Sequence, residues 1–316
     1  MKRVLLTGAA GFVGRWLTPA LVDAGAHVIA LSTAQSAADV SSADITWLYG
    51  DLRDDAFVAR AVQVAQADTV IHLAAISHLP TAAANPALAW EVNVTSTARM
   101  LHQIETQRRH TGANPTVLLV GSAEQYGRLA SHGFPLSEDA VQAPRTVYAA
   151  TKAAQEILAL QAWRASGLRT IVARSFNHSG RGQESRFLLP GVVGRALALR
   201  GAPAGTPLFV GNQSPVRDFL HVSDVVAAYI ALCQRGTPGE AYNVASGIGW
   251  SVQQIVDRVL ARAGIQAVPT EDPALVRPVD VPELVGDPRK LQHATGWRAM
   301  RSLDDIIDDL LHAETY

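Results

Sequence analysis

Tyr148 and Lys152 stand four residues apart in an apolar, Ala-rich run. Residues at i and i+4 share one face of a helix, so this spacing sets an ammonium beside a phenol. A free phenol has a pKa of about 10, and a nearby cation favours the phenolate and lowers that value. The pair predicts a hydroxyl that gives or takes a proton near neutrality, as general acid–base catalysis requires. A surface tyrosine and a solvated lysine at the same spacing would carry no chemistry, so the neighbours decide. Two candidates precede the pair. Ser122 and Glu124 follow the all-apolar run Thr116–Val120, where a hydroxyl and a carboxylate would sit past the carboxyl end of a parallel strand. Open α/β sheets bind their ligands there.

The elements that must position these groups are legible from the N-terminus onward. Arg3–Thr7 reads as a buried strand, followed by Gly8-Ala-Ala-Gly11-Phe12-Val13-Gly14 and a helical pattern through Trp16, Leu17, Leu21 and Val22. His27–Leu31 reads as the next strand. A strand, glycine turn, helix and strand in this order form a phosphate-binding unit. The glycines permit a tight turn and close approach of backbone to pyrophosphate, and the helix N-terminus supplies N–H groups. The second strand ends in Ser32-Thr33 rather than an acid or an Arg. A 2′-phosphate is not repelled there, which leans toward NADP(H) and leaves NAD(H) open. Asp51 and Leu52 follow a third strand, placed to border an adenine. Thr69–Ala75 reads as a buried strand whose end, Leu73-Ala74-Ala75, is small enough for a cofactor to pass closely. His72 reads equally well as a satisfied histidine at a strand end. Asn93 falls inside a helical run beginning near Ala87, an unfavourable place that suggests a structural job such as bridging neighbouring strands.

At 316 residues, 48% of them hydrophobic and 17% charged, the chain can bury a large core. A net charge of -1 gives no hint of a nucleic acid or an anionic membrane surface as partner. The single cysteine, Cys233, cannot form an internal disulfide, which fits a reducing cytoplasm. Neither a signal-peptide pattern nor an apolar run of membrane-spanning length stands out.

Thr7–Gly14, His72–Ala75, Asn93, Ser122, Tyr148 and Lys152 form an ordered set that resembles the extended short-chain dehydrogenase/reductase family along essentially the whole chain. The resemblance implies an α/β Rossmann doubly wound parallel sheet with a smaller, discontinuous C-terminal substrate-binding lobe. The expected division is residues 1–176, completed by about 218–245, against 177–217 and 246–316. Ser122 would hydrogen-bond the sugar oxygen, Tyr148 would be the acid/base, and Lys152 would tune it and hold the nicotinamide ribose. The segment Arg174-Ser-Phe-Asn177-His178-Ser-Gly-Arg-Gly182-Gln183 is similar to the GDP-sugar branch, where the Asn faces substrate. Arg217 in Val216–Phe219, and Arg277 in the stretch ending Val281-Pro282, match positions that grip the diphosphate, a task suited to a planar guanidinium. No metal is implied.

Within that branch the string resembles GDP-4-keto-6-deoxy-D-mannose reductases and GDP-mannose 4,6-dehydratases. A dehydratase needs a base for the C5 proton and help for the leaving C6 hydroxyl. Glu124 could serve as the base, but Ala123 beside it is inert, and 32–38 lacks the Arg-rich loop of dehydratases. The reductase is therefore the leading expectation: NAD(P)H reduction of a GDP-4-keto-6-deoxyhexose to a GDP-6-deoxyhexose such as GDP-D-rhamnose. The dehydratase, another epimerase or dehydratase, and a dinucleotide-binding regulator stay open. The resemblance also implies a homodimer pairing through the helices after Asn93 and Tyr148, with Met100-Leu101 and Ile157–Leu160 as candidate contacts.

Overall fold

Strand registers build one seven-stranded parallel sheet in a computed structural model that describes residues 1–35, 42–127, 135–276 and 281–313. The first half runs β1 (Arg3–Thr7), α1 (Phe12–Asp23), β2 (His27–Ser32), β3 (Ile45–Tyr49), α2 (Asp55–Ala65) and β4 (Thr69–His72). Next come α3 (Leu79–Ala84), α4 (Pro86–Trp90), a π-helical turn (Glu91–Thr95), α5 (Ser96–Thr111) and β5 (Thr116–Val120). A 3-10 turn (Ala123–Tyr126), α6 (Val147–Ser166) and β6 (Thr170–Ser175) complete this half.

Then follow β7 (Asn177–Ser179), α7 (Leu188–Leu197), β8 (Thr206–Val210), β9 (Val216–His221), α8 (Val222–Arg235) and β10 (Ala241–Val244). The chain closes with β11 (Gly249–Ser251), α9 (Val252–Ala263), β12 (Ala267–Glu271), β13 (Glu283–Leu284), α10 (Arg289–Thr295) and α11 (Leu303–Ala313).

Strand order in the large sheet is β10-β6-β5-β4-β1-β2-β3. Side chains alternate across a strand, and both faces of this sheet are covered. Leu6 enters a core with Leu17 and Leu21 of α1 and Val225 and Tyr229 of α8. Its neighbour Leu5 enters the opposite core with Phe57 and Val58 of α2 and Met100 and Ile104 of α5. This is the doubly wound arrangement expected. The order in which strands are laid down reverses between the parallel neighbours β1 and β4, opening a crevice at their carboxyl ends.

A smaller lobe has its own core, in which Leu189 and Val192 of α7 pack with Ile255 and Val259 of α9 and Ile306 and Leu310 of α11. Its strands pair as β11-β9-β13, with β7 on β9, and as β12-β8. The chain re-enters the large sheet only at Val222, through α8 and β10. β9, expected with that return, belongs to the small sheet instead. Leu291 and Trp297, near the C-terminal end, pack into the core over α1 and α8.

Two local details depart from the sequence pattern. β4 stops at His72 because Leu73 and Ala74 turn to bond Thr7. The helical run around Asn93 contains a π turn, a feature frequent at functional sites. None of the described helices is long and apolar enough to cross a membrane, and the described residues hold no cluster of metal-binding type.

Candidate active site

The glycine turn after β1 divides its work three ways. Gly8 takes φ +69°, and a Cβ there would lie 2.9 Å from Ala74 N. Gly14 sits in the first turn of α1, where a Cβ would meet the Gly8 and Ala9 carbonyl oxygens at 2.4 Å. Both glycines are required by packing of the turn itself. At Gly11 an added Cβ meets only the Gly8 oxygen, at 3.1 Å, and the residue is exposed on the cleft wall. That opening is space for a ligand. No side chain caps the N-terminus of α1 and no acid occupies its first turn, so its N–H groups suit an anion. Leu73, Ala74 and Ala75 form the facing wall. A dinucleotide fits these residues.

His72 is explained without catalysis. Thr97 Oγ1 donates to the Asn93 carbonyl at 2.6 Å, so it accepts from His72 Nε2 at 2.9 Å. His72 Nδ1 then accepts from Thr7 Oγ1 at 2.7 Å. Both ring nitrogens are used, and burial drives the pKa down to about 3, with Lys152 adding repulsion. The ring is a neutral tie between strand ends. Asn93 ties different elements from those expected. Its Oδ1 accepts from Ile76 N at 2.7 Å, and its Nδ2 donates to Thr151 Oγ1 at 2.9 Å. It joins the loop after β4 to α6 rather than two strands.

The cleft between the sheet and the small lobe has a volume of about 430 Å³, within the usual range for ligand sites. Ser122, Glu124, Tyr148 and Lys152 all line it, beside Gly11, Phe12 and Val13. Thr146 caps α6 by accepting from Ala149 N, which sets the first turn that carries Tyr148. Lys152 Nζ lies 6.0 Å from the Tyr148 ring centroid and donates to the Val120 carbonyl at 2.8 Å.

The expected electrostatics need correcting here. Burial pushes the Tyr148 phenol up to about 12, with a hydrogen bond from Ser122 pulling down and the Glu124 charge pushing up. Burial, not the Lys152 charge, sets the direction of the phenol's shift. Burial also pushes the lysine down to about 7. Burial thus favours the neutral phenol at Tyr148.

Ala123 faces away from this chemistry, buried in an apolar cluster with Tyr126 and Phe176, and Glu124 alone of that pair lines the cleft. Asn177 and the buried Arg217 line the opposite side, from the small lobe. Arg277 lies outside the described residues. Ser32 ends β2 and Asp51 and Leu52 follow β3, and none of the three lines this cleft. Asp51 is engaged by Arg53, whose guanidinium lies 2.6 Å away and holds the carboxyl below its ordinary value.

The structure adds groups that the residue pattern did not single out. His178 stacks on Phe12 with ring centroids 6.2 Å apart, joining the glycine turn to β7. Ser77, Arg186 and Phe187 complete the wall. Ser77 and Phe187 fall in loops with no motif of their own. The run Glu184–Phe187 just past the quoted Gln183 was the available signal.

Comparison with known proteins agrees with this geometry. The chain is 31% identical to GDP-6-deoxy-D-mannose reductase of Pseudomonas aeruginosa, over 98% of this chain and 97% of that one. It is 27% identical to GDP-mannose 4,6 dehydratase 2 of Arabidopsis thaliana, over 97% of this chain and 85% of the relative. A crystal structure of RMD from Pseudomonas aeruginosa complexed with NADPH superposes with a TM-score of 0.84 at 28% identity, covering 99% and 98% of the two chains. The model of the GDP-mannose 4,6 dehydratase family matches residues 5–310, which takes in both lobes and every cleft residue named above. The chain belongs to that family.

Proposed function

We propose that this protein reduces the 4-keto group of a GDP-4-keto-6-deoxyhexose with NADPH or NADH, giving a GDP-6-deoxyhexose such as GDP-D-rhamnose. The observation that carries this is the placement of Tyr148, neutral and hydrogen-bonded to Ser122, in the same cleft as the glycine turn. The 31% identity to a GDP-6-deoxy-D-mannose reductase supports the substrate class. A bound reduced nicotinamide supplies the hydride that C4 receives. Tyr148 gives its phenolic proton to the carbonyl oxygen, and Ser122 hydrogen-bonds that oxygen. Lys152 offsets the phenolate charge left behind. Asn177, Arg217 and Arg277 hold the sugar nucleotide, while Ser32, Asp51 and Leu52 border the adenosine end of the cofactor. The site is proposed to work in the cytoplasm, in a homodimer, with residues 177–217 and 246–316 supplying most of the substrate side.

Glu124 on the cleft wall favours one second reading, a GDP-mannose 4,6-dehydratase. The test is incubation with GDP-4-keto-6-deoxymannose plus NADPH, against GDP-mannose alone, with products read by mass spectrometry. The reductase reading expects a gain of two hydrogens in the first tube and no change in the second. Loss of one water from GDP-mannose without added reductant would replace it with the dehydratase. Glu124→Gln separates the two further. Reduction should fall by less than about tenfold, or ~1.4 kcal/mol of barrier. A base for C5 would cost ~10²–10⁴-fold when removed.

A further inference from the structure

Behind the turn that carries Ser122 and Glu124 lies a buried chain of polar groups that the proposed reaction does not touch. Gln125 is fully buried, and its Oε1 accepts the Ser122 N–H at 2.7 Å. Its Nε2 donates to Glu156 Oε2 at 2.9 Å and to Gln142 Oε1 at 3.2 Å. Gln142 Nε2 donates to Glu156 Oε1 at 2.7 Å. Glu156 stands on α6, one turn past Lys152 and two past Tyr148. Arg174 of β6 grips the same carboxylate, through Nε at 2.9 Å and Nη2 at 2.6 Å.

The sense of the Gln125 amide follows from this pairing. An amide offers one oxygen acceptor and one nitrogen donor, and an ionised carboxylate only accepts. Both Glu156 oxygens already accept from the Arg174 guanidinium, so the amide nitrogen faces Glu156 and the oxygen faces Ser122. The Ser122 turn is thereby tied to α6 at two places: through the protein to Glu156, and through the cleft to Tyr148. Buried networks of this kind hold only when every member is satisfied.

We propose that Gln125 is a positioning residue, which ties the Ser122 hydroxyl to the helix carrying the proton donor, with the Glu156–Arg174 pair setting the sense of its amide. This deepens the reductase reading and rests on it for the effect on turnover. Gln125→Leu should expose the Ser122 amide, so hydrogen exchange of the peptide spanning 120–127 should speed up. Turnover should fall on the order of 10-fold to 100-fold, the scale of a small misplacement at a reacting centre. Cofactor affinity, set at the glycine turn, should stay unchanged.

A double-mutant cycle decides whether the loss runs through Ser122. Ser122→Ala with Gln125→Leu should be no worse than Ser122→Ala alone, because residues acting as one unit are not additive. Multiplied losses, or Gln125→Leu with unchanged exchange, would overturn the proposal. Should Gln125→Leu fail to fold, Gln125→Glu replaces it. Two carboxyls facing each other share a proton, so that variant should lose turnover as pH rises, through an ionisation the wild type lacks. A wild-type pH profile in Gln125→Glu would equally overturn the idea. Wild-type protein that never oxidises NADPH would end the reductase reading, and the exchange measurement would still decide the positioning role.

Discussion

Tyr148 and Lys152 illustrate what a residue pattern reveals and what it hides. Their spacing predicts a shared helix face, and both side chains do line one cleft. The direction of their pKa shifts is not legible in the pattern, because burial is set by residues remote in sequence, such as Val120 at the end of β5 and Ser122 and Glu124 in the turn after it. Tyr148→Phe should keep cofactor binding while turnover drops ~10²–10⁴-fold, the usual contribution of a positioned proton donor. Turnover near the wild-type rate would remove Tyr148 from the mechanism. Lys152 makes a separate prediction about stability. Burial lowers its pKa from 10.5 to about 7, so between these values the unfolded chain binds a proton that the folded chain does not. Stability in the cofactor-free protein should therefore rise with pH across that window. Lys152→Met removes this dependence, and the difference in unfolding free energy between variant and wild type should change by about 2 kcal/mol from pH 7 to pH 9. Urea titrations at the two pH values measure it, and an unchanged difference would show the buried lysine to be as well accommodated charged as neutral.

At the scale of elements, the strand–turn–helix order was readable because glycine positions and apolar runs are local signals. β4 was read too long, since its early end depends on Thr7 accepting from Ala74 N at 3.2 Å across the crevice. The π turn at Asn93 has no local signal for the same reason, since Asn93 is held by Ile76 and by Thr151 of α6. The three glycines of the turn give a prediction that separates binding from folding. Gly11 has ordinary helix-entry backbone, φ -73°, and a Cβ there would meet only the Gly8 oxygen, at 3.1 Å. Gly11→Val should lower the unfolding midpoint less than Gly14→Val does, while NADPH affinity drops severely. Gly14→Val should act on the fold itself, because its Cβ meets backbone at 2.4 Å, and overpacking of this kind costs about 1–3 kcal/mol or more. Titration with NADPH and thermal melts of both variants provide the check. Equal loss of affinity and equal loss of stability in the two would deny Gly11 its separate role.

At the scale of the whole molecule, α5 and α6 lie side by side on one face of the sheet, and their outer surfaces differ from what the sequence suggested. Met100 and Leu101 are 1% and 6% exposed and belong to the core, so they cannot meet a partner. On α6, Ile157 is 68% exposed, with Trp163 at 36% further along the same helix. Helical spacing puts Ala153, Ile157 and Leu160 along the outward strip. A helix whose outer strip stays apolar usually has a cover. A second copy of the chain, related by a two-fold axis, would lay the same strip against itself and bury Ile157 on both sides. Sedimentation at micromolar concentration should therefore report a dimer. Ile157→Glu sets two like charges facing each other at the axis and should give a monomer that keeps its fold by circular dichroism. A wild-type monomer, or an Ile157→Glu variant that still sediments as a dimer, would move the interface away from α6.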